Sequence, residues 1–140
     1  MSVKHVFVDT NIFVYAKLQT PETLDKHQRA GQFLGTVSDL VIVSAQVLSE
    51  FSSVLRKHRI DDTTIWEAVR AIAQSSTVMP LTWTTVERAW QVKQRYRLAY
   101  WDSLIVSSAL EAECAVLYSE DLQHQQIIEG ALRIINPFLL

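Results

Sequence analysis

Four acidic side chains, Asp9, Glu50, Asp102 and Asp121, stand where they can do chemistry together. Asp9 closes the apolar run Val3 to Val8, which reads as a short buried strand. Asp121, with Glu120 just before it, follows a similar run at Ala115 to Ser119. Glu50 lies among Val47, Leu48, Phe51, Val54 and Leu55, which recur at helical spacing and place it beside an apolar face. Asp102 stands at the expected N-cap of a helix reaching about Glu113. Each acid also has an ordinary explanation: Asp9, Asp102 and Asp121 as helix caps, Glu50 as a solvated helix residue. Gathered on one rim, they would repel one another, and a partly buried carboxylate needs a compensating charge. A hard divalent cation, Mg²⁺ or Mn²⁺, meets both needs and favours such an all-oxygen site. The chemistry this suits is phosphodiester hydrolysis, in which the ion acidifies a water and stabilises charge on the attacking and leaving oxygens. A metal-filled pocket would attract the phosphate that an empty acidic one repels.

These acids come from distant segments, so the fold must gather them. Thr10 to Leu18 reads as a short helix, and Pro21 suits the start of the next, with Leu24, Ala30, Phe33 and Leu34 on one side. Leu40 to Ser44 is a second strand, followed by a helix from Ala45 to His58. Asp61 or Asp62 caps a helix to about Ser75, and Val78 to Leu81 is a third strand. Thr84 or Thr85 starts a helix to about Leu98. After the Asp102 helix come the Ala115 to Ser119 strand, a short helix near Asp121, and a last strand at Leu132 to Ile135 ended by Asn136-Pro137. Short apolar strands alternating with longer helices predict an α/β fold with a mainly parallel central sheet. In such a sheet ligands bind beyond the carboxyl ends of the strands, which is where the acids are expected.

Composition narrows the field. The 140 residues suit a single domain spanning 1–140, with 49% hydrophobic and 20% charged residues. The one cysteine, Cys114, excludes an internal disulfide and reads as a small buried hydrophobe. No apolar stretch reaches membrane-span length and the N-terminus does not read as a signal peptide, so a cytoplasmic location with no membrane contact is expected. The three glycines, Gly31, Gly35 and Gly130, have no phosphate-loop or dinucleotide spacing. The four histidines show no ligand spacing, which leaves zinc without a site. A net charge of −2 does not advertise a nucleic-acid binder, although metal-holding acids would themselves lower it. An aspartyl phosphatase also places Asp after its first strand, but it wants a second acid where this chain has Asn11.

Four blocks carry a resemblance. Val6-Phe7-Val8-Asp9-Thr10-Asn11, Val47-Leu48-Ser49-Glu50-Phe51, Tyr100-Trp101-Asp102-Ser103 and Leu117-Tyr118-Ser119-Glu120-Asp121-Leu122 resemble, in this order, the acidic motifs of PIN domains. The length is similar to that of the VapC toxins. The resemblance implies a small parallel sheet with helices on both sides and Mg²⁺- or Mn²⁺-dependent cleavage of RNA. It implies Asp9 and Asp102 as principal metal ligands, completed by Glu50 and Asp121, with Thr10, Asn11 and Ser119 supporting them. For the fourth acid it favours Asp121 over the adjacent Glu120. Many relatives carry a glycine soon after that acid, where this chain reads Gln123-His124-Gln125-Gln126, so a different local turn is expected. The resemblance also implies a cognate antitoxin. The alternatives are a housekeeping PIN-domain protein acting on RNA without an antitoxin, or a non-catalytic module binding RNA or protein.

Two basic clusters, Arg56-Lys57-His58-Arg59 and Lys93, Arg95 and Arg97, suit either RNA phosphates or helix C-termini. Of the tryptophans Trp66, Trp83, Trp90 and Trp101, the last adjoins Asp102 and is the candidate for stacking on a base. Trp90 is a candidate for a homodimer contact.

Overall fold

The computed structural model describes residues 4–140. Its centre is a six-stranded sheet: β1 (Val6–Val8), β2 (Val41–Ser44), β3 (Thr77–Met79), β4 (Val116–Tyr118), β5 (Ile127–Ile128) and β6 (Leu132–Ile135). The spatial order is β3-β2-β1-β4-β6-β5. Every pairing is parallel except the short β5–β6 ribbon. The expected α/β fold with a mainly parallel sheet is therefore what forms. Six helices connect the strands: α1 (Thr10–Lys17), α2 (Leu24–Thr36), α3 (Ala45–Lys57), α4 (Asp62–Gln74), α5 (Trp83–Tyr96) and α6 (Tyr100–Glu111).

Near-continuous apolar strands are what a sheet covered on both faces requires. Phe7, Val8, Val43, Leu117 and Ile134 are accordingly shut off from solvent, and Val47, Phe51 and Leu55 of α3 join the same core. Glu50 falls off that buried stripe of α3, half-exposed at its edge. The chain runs from β1 out to β3 on one side, and from β4 to β6 on the other. The order thus reverses between β1 and β4, where the connections diverge and leave a crevice at the strands' carboxyl ends. Val8 pairs with Tyr118 there, so Asp9 and Ser119 leave the sheet side by side. Helices that alternate with parallel strands run antiparallel to them. Glu50, in the second turn of α3, and Asp102, in the first turn of α6, therefore lie at the same end.

Several expected details differ. The first strand was expected from Val3, which lies outside the described residues; from Val6 onward it forms as anticipated. Pro21–Thr23 makes a separate 3₁₀ turn before α2. β3 stops at Met79, because Pro80 carries no N–H for the ladder and leaves Leu81 outside. α5 is capped by Thr82, not Thr84 or Thr85: Thr82 accepts from the Thr85 N–H, and Thr85 returns the bond to the Thr82 N–H. Asp102 is not a cap either. α6 begins at Tyr100 with Ala99 at its N-cap, leaving Asp102 in the first turn with its carboxylate free for other work. No helix forms near Asp121; bends and turns lead instead into β5. In that stretch Gln125, at φ 72°, adopts a left-handed conformation.

Arg97 ends α5 with φ 56° and ψ 43°, a left-handed position that costs an L-residue roughly 1 kcal/mol or more. Arg97→Gly is expected to raise stability by about 1 kcal/mol, seen as a higher urea midpoint at unchanged m-value. A lower midpoint would show that the Arg97 side chain contributes more than its backbone costs.

Candidate active site

Asp9, Glu50, Asp102 and Asp121 all line one hollow of about 450 Å³ at the β1/β4 crevice. Thr10, Asn11 and Glu120 share its wall, and Ser119 lies fully buried behind Asp9. Asp9 is 5% exposed and caps α1 by accepting from the Thr10 N–H at 2.7 Å. Its other oxygen accepts from Ser119 Oγ at 2.8 Å and Asn11 Nδ2 at 3.3 Å. Asn11 Nδ2 also donates to Asp121 Oδ2 at 3.1 Å, so a single amide bridges the first and fourth acids. Thr10 Oγ1 donates to Glu50 Oε1 at 3.2 Å. All these partners are neutral.

The electrostatics follow from that neutrality. Burial pushes the Asp9 carboxyl up to about 6, against hydrogen bonds from Ser119 and Thr10 that pull it down; the charges of Asp121 and Glu50 add to the rise. Burial likewise raises Glu50, with the charges of Asp102 and Asp121 contributing. Asp102 is raised by burial first and then by Asp121, and no hydrogen bond reaches its carboxylate among the described residues. The four acids feel one another, and none joins an ion pair among the described residues; those pairs are Lys26–Glu120, Arg29–Asp25 and Arg88–Glu129. Asp9, buried, and Glu50 and Asp102, partly buried, have no counter-charge there, which is an incomplete arrangement.

Glu120, the adjacent candidate, is compensated. It pairs with Lys26 and accepts from the Tyr15 hydroxyl at 2.7 Å, while its N–H donates to Asn11 Oδ1 at 3.1 Å. Its charge is spent holding α1 and α2 to the loop after β4. Asp121 has no cationic partner among the described residues and is bridged to Asp9, which distinguishes the two acids.

The donor chemistry fits a hard divalent cation: carboxylate oxygens with hydroxyls behind them. As they stand, however, no three acidic, histidine or cysteine side chains among the described residues are gathered closely enough to hold an ion. Mutual repulsion between uncompensated carboxylates acts to keep them apart.

Sequence reasoning passed over four contributors. Gln46 sits one turn before Glu50 and donates to it at 3.4 Å, a relation readable from i,i+4 spacing. Tyr15 and Lys26 meet Glu120 across about a hundred residues, for which the sequence carries no signal. His58, assigned to no site, lines the hollow with Nδ1 against the Val54 carbonyl at 3.0 Å.

The PIN domain family model matches residues 6–129, and the chain belongs to that family. Solved structures share the fold at low identity. A toxin–antitoxin complex from Klebsiella pneumoniae is 17% identical, with a TM-score of 0.72 over 94% of this chain and 97% of that one. The sarcin–ricin loop cleaving toxin VapC20 of Mycobacterium tuberculosis is 18% identical, with a TM-score of 0.64 over 80% and 86%. VapBC2 from Rickettsia felis, bound to a promoter DNA fragment, is 16% identical, with a TM-score of 0.66 over 94% and 98%. No curated protein sequence matches the chain. Among the described residues no helix is long and apolar enough to cross a membrane.

Proposed function

We propose that this chain is a metal-dependent endoribonuclease and the toxin half of a type II toxin–antitoxin pair. The observation that carries the reading is the convergence of Asp9, Glu50, Asp102 and Asp121 on one hollow with no positive partner among the described residues. Asp9 and Asp102 are the principal ligands of Mg²⁺ or Mn²⁺, with Glu50 and Asp121 completing the site. The cation supplies Lewis-acid stabilisation of the phosphodiester and the charge that draws it in. The protein's part is positioning. Ser119 and the Thr10 N–H hold Asp9 ionisable despite its burial. Asn11 fixes Asp121 against Asp9, and Thr10 and Gln46 hold Glu50 facing them. The neighbours' folds are those of toxins in complexes with antitoxins, which supports a protein partner for this one. A second groove of about 360 Å³, lined by Phe13, Leu34, Val41, Phe51 and Ile72 between helices α1 to α4, suits an apolar antitoxin segment. The exposed Trp90 is a contact for a homodimer. The site of action is the cytoplasm, and residues 1–140 act as one PIN-like domain.

The test is cleavage of RNA by the purified chain with Mg²⁺ or Mn²⁺, with and without EDTA, alongside expression in a host cell with and without any small antitoxin-like gene that proves to neighbour its own. Cleavage abolished by EDTA, and growth arrest relieved by the neighbour, are expected. Metal-dependent cleavage without arrest would favour the housekeeping nuclease. No cleavage under either metal would return the chain to a binding module.

A further inference from the structure

A second hollow of about 370 Å³ adjoins the acidic one and shares Glu50 with it. Its other walls are Gln46, Ser49, Ser53, Leu81 and Trp101. A third hollow continues from Ser49 and Ser53 to Ser52, Arg56 and Lys57. Positions 46, 49, 50, 53, 56 and 57 recur every three or four residues, so they make one stripe along α3. That stripe runs from an aromatic ring, past a catalytic acid and serine hydroxyls, to two cations.

Trp101 is 63% exposed, its ring edge-on to Tyr100 with centroids 5.4 Å apart. Its backbone is anchored to the acid: Gln46 Nε2 donates to the Trp101 carbonyl at 3.0 Å and to Glu50 Oε1 at 3.4 Å. One amide thus sets the ring-bearing turn against the carboxylate. Gln46 is 4% exposed, and its Oε1 is buried with no hydrogen-bond partner among the described residues.

We propose that this hollow takes an unpaired nucleobase flanking the scissile phosphate, stacked on the exposed Trp101 ring beside Glu50. The neighbouring phosphates follow α3 past Ser49 and Ser53 to Arg56 and Lys57. A base offers its face to an indole only when it is unstacked, so the substrate class is single-stranded RNA or a loop. The two cations at the far end of the stripe, Arg56 and Lys57, favour a polyanion over a second copy of this chain. The inference rests on the ribonuclease reading for its chemistry, but its test does not need turnover.

The experiment measures binding of a labelled single-stranded RNA and of its duplex, with Mg²⁺ present, in an Asp102→Asn background that binds without cutting. Single strand is expected to bind more tightly than duplex. Trp101→Ala should weaken single-strand binding by about 5- to 150-fold, while Trp101→Phe keeps most of it. Trp66→Ala, equally exposed but on α4, should change nothing. Arg56→Ala with Lys57→Ala should reduce the salt slope by roughly 1 to 2. In the cleaving protein Trp101→Ala should act mainly on KM. Unchanged binding by Trp101→Ala overturns the proposal, even if the wild type cleaves RNA. An equal loss from Trp66→Ala overturns it too. So does a shift from dimer to monomer in sedimentation with KM unaltered, which would make this face a contact between copies. Binding through Trp101 by a wild type that never cleaves would uphold this site while sinking the nuclease reading.

Discussion

Asp102→Asn is expected to leave a folded protein whose metal-dependent RNA cleavage falls by at least about 100-fold, since even outer-sphere substitutions at metal sites cost 10- to 100-fold. The position makes this a clean test. Asp102 lies in the first turn of α6 but does not cap it, and among the described residues nothing hydrogen-bonds to its carboxylate. The substitution therefore breaks no structural contact and removes only a charge. Burial and the charge of Asp121 already disfavour that charge in the metal-free protein. An amide of the same shape should fold at least as well. Near-normal cleavage by a purified Asp102→Asn variant would remove Asp102 from the site and leave the reading without its third acid. Lost cleavage together with a lowered melting temperature would mean that the side chain is structural after all.

The same residue shows where sequence reasoning reaches its limit. Its spacing marked Asp102 as a helix start, and the helix is there, but Ala99 takes the cap without any side-chain bond. Capping patterns locate a terminus to within a turn, because any short polar residue nearby fits them. Thr82 displaced Thr84 and Thr85 for the same reason. The parallel strands were legible because apolar runs of this length have few alternatives, and with them the places of Asp9, directly after β1, and of the Glu120-Asp121 pair, just beyond β4. β6 forms over Leu132–Ile135 as expected, but its partner β5 was not legible: Ile127–Ile128 is too short to carry a period. Nor could local pattern decide between Glu120 and Asp121. Their difference is tertiary, since Lys26 and Tyr15 arrive from α2 and α1 to take the first acid and leave the second facing Asp9. Tryptophan exposure was only partly legible. The sequence singled out Trp101 and Trp90 for surface contacts, yet Trp66, Trp83, Trp90 and Trp101 are each at least half exposed.

In EDTA, the stability of the wild type relative to Asp9→Asn should fall by about 2 kcal/mol between pH 4 and pH 7. The Asp9 carboxyl titrates near 3.8 in an unfolded chain and at about 6 in the fold. Between these values the native state holds a proton that the unfolded state has lost. Stability therefore declines as pH rises through this window and levels off above 6, opposite in sign to a carboxylate whose folded pKa is depressed. Asp61, lowered by its bonds to Thr64, acts in that opposite direction, and comparison with Asp9→Asn cancels it and every other shared group. The amide cannot accept all three bonds that Asp9 receives from Thr10, Asn11 and Ser119, so near pH 4 the variant should be the weaker protein. As pH rises the order should reverse, because the variant has no charge to bury. Glu50 and Asp102 are shifted in the same direction and remain in both proteins. Adding Mg²⁺ should restore the wild type increasingly above pH 6, as the acids ionise and the cation binds the folded state alone, and should do much less for Asp9→Asn. Urea titrations at several pH values, with EDTA or Mg²⁺, give the whole comparison. A difference between the two proteins that stays constant with pH would mean that Asp9 is ionised at no cost, and the argument that its burial calls for a cation would fall.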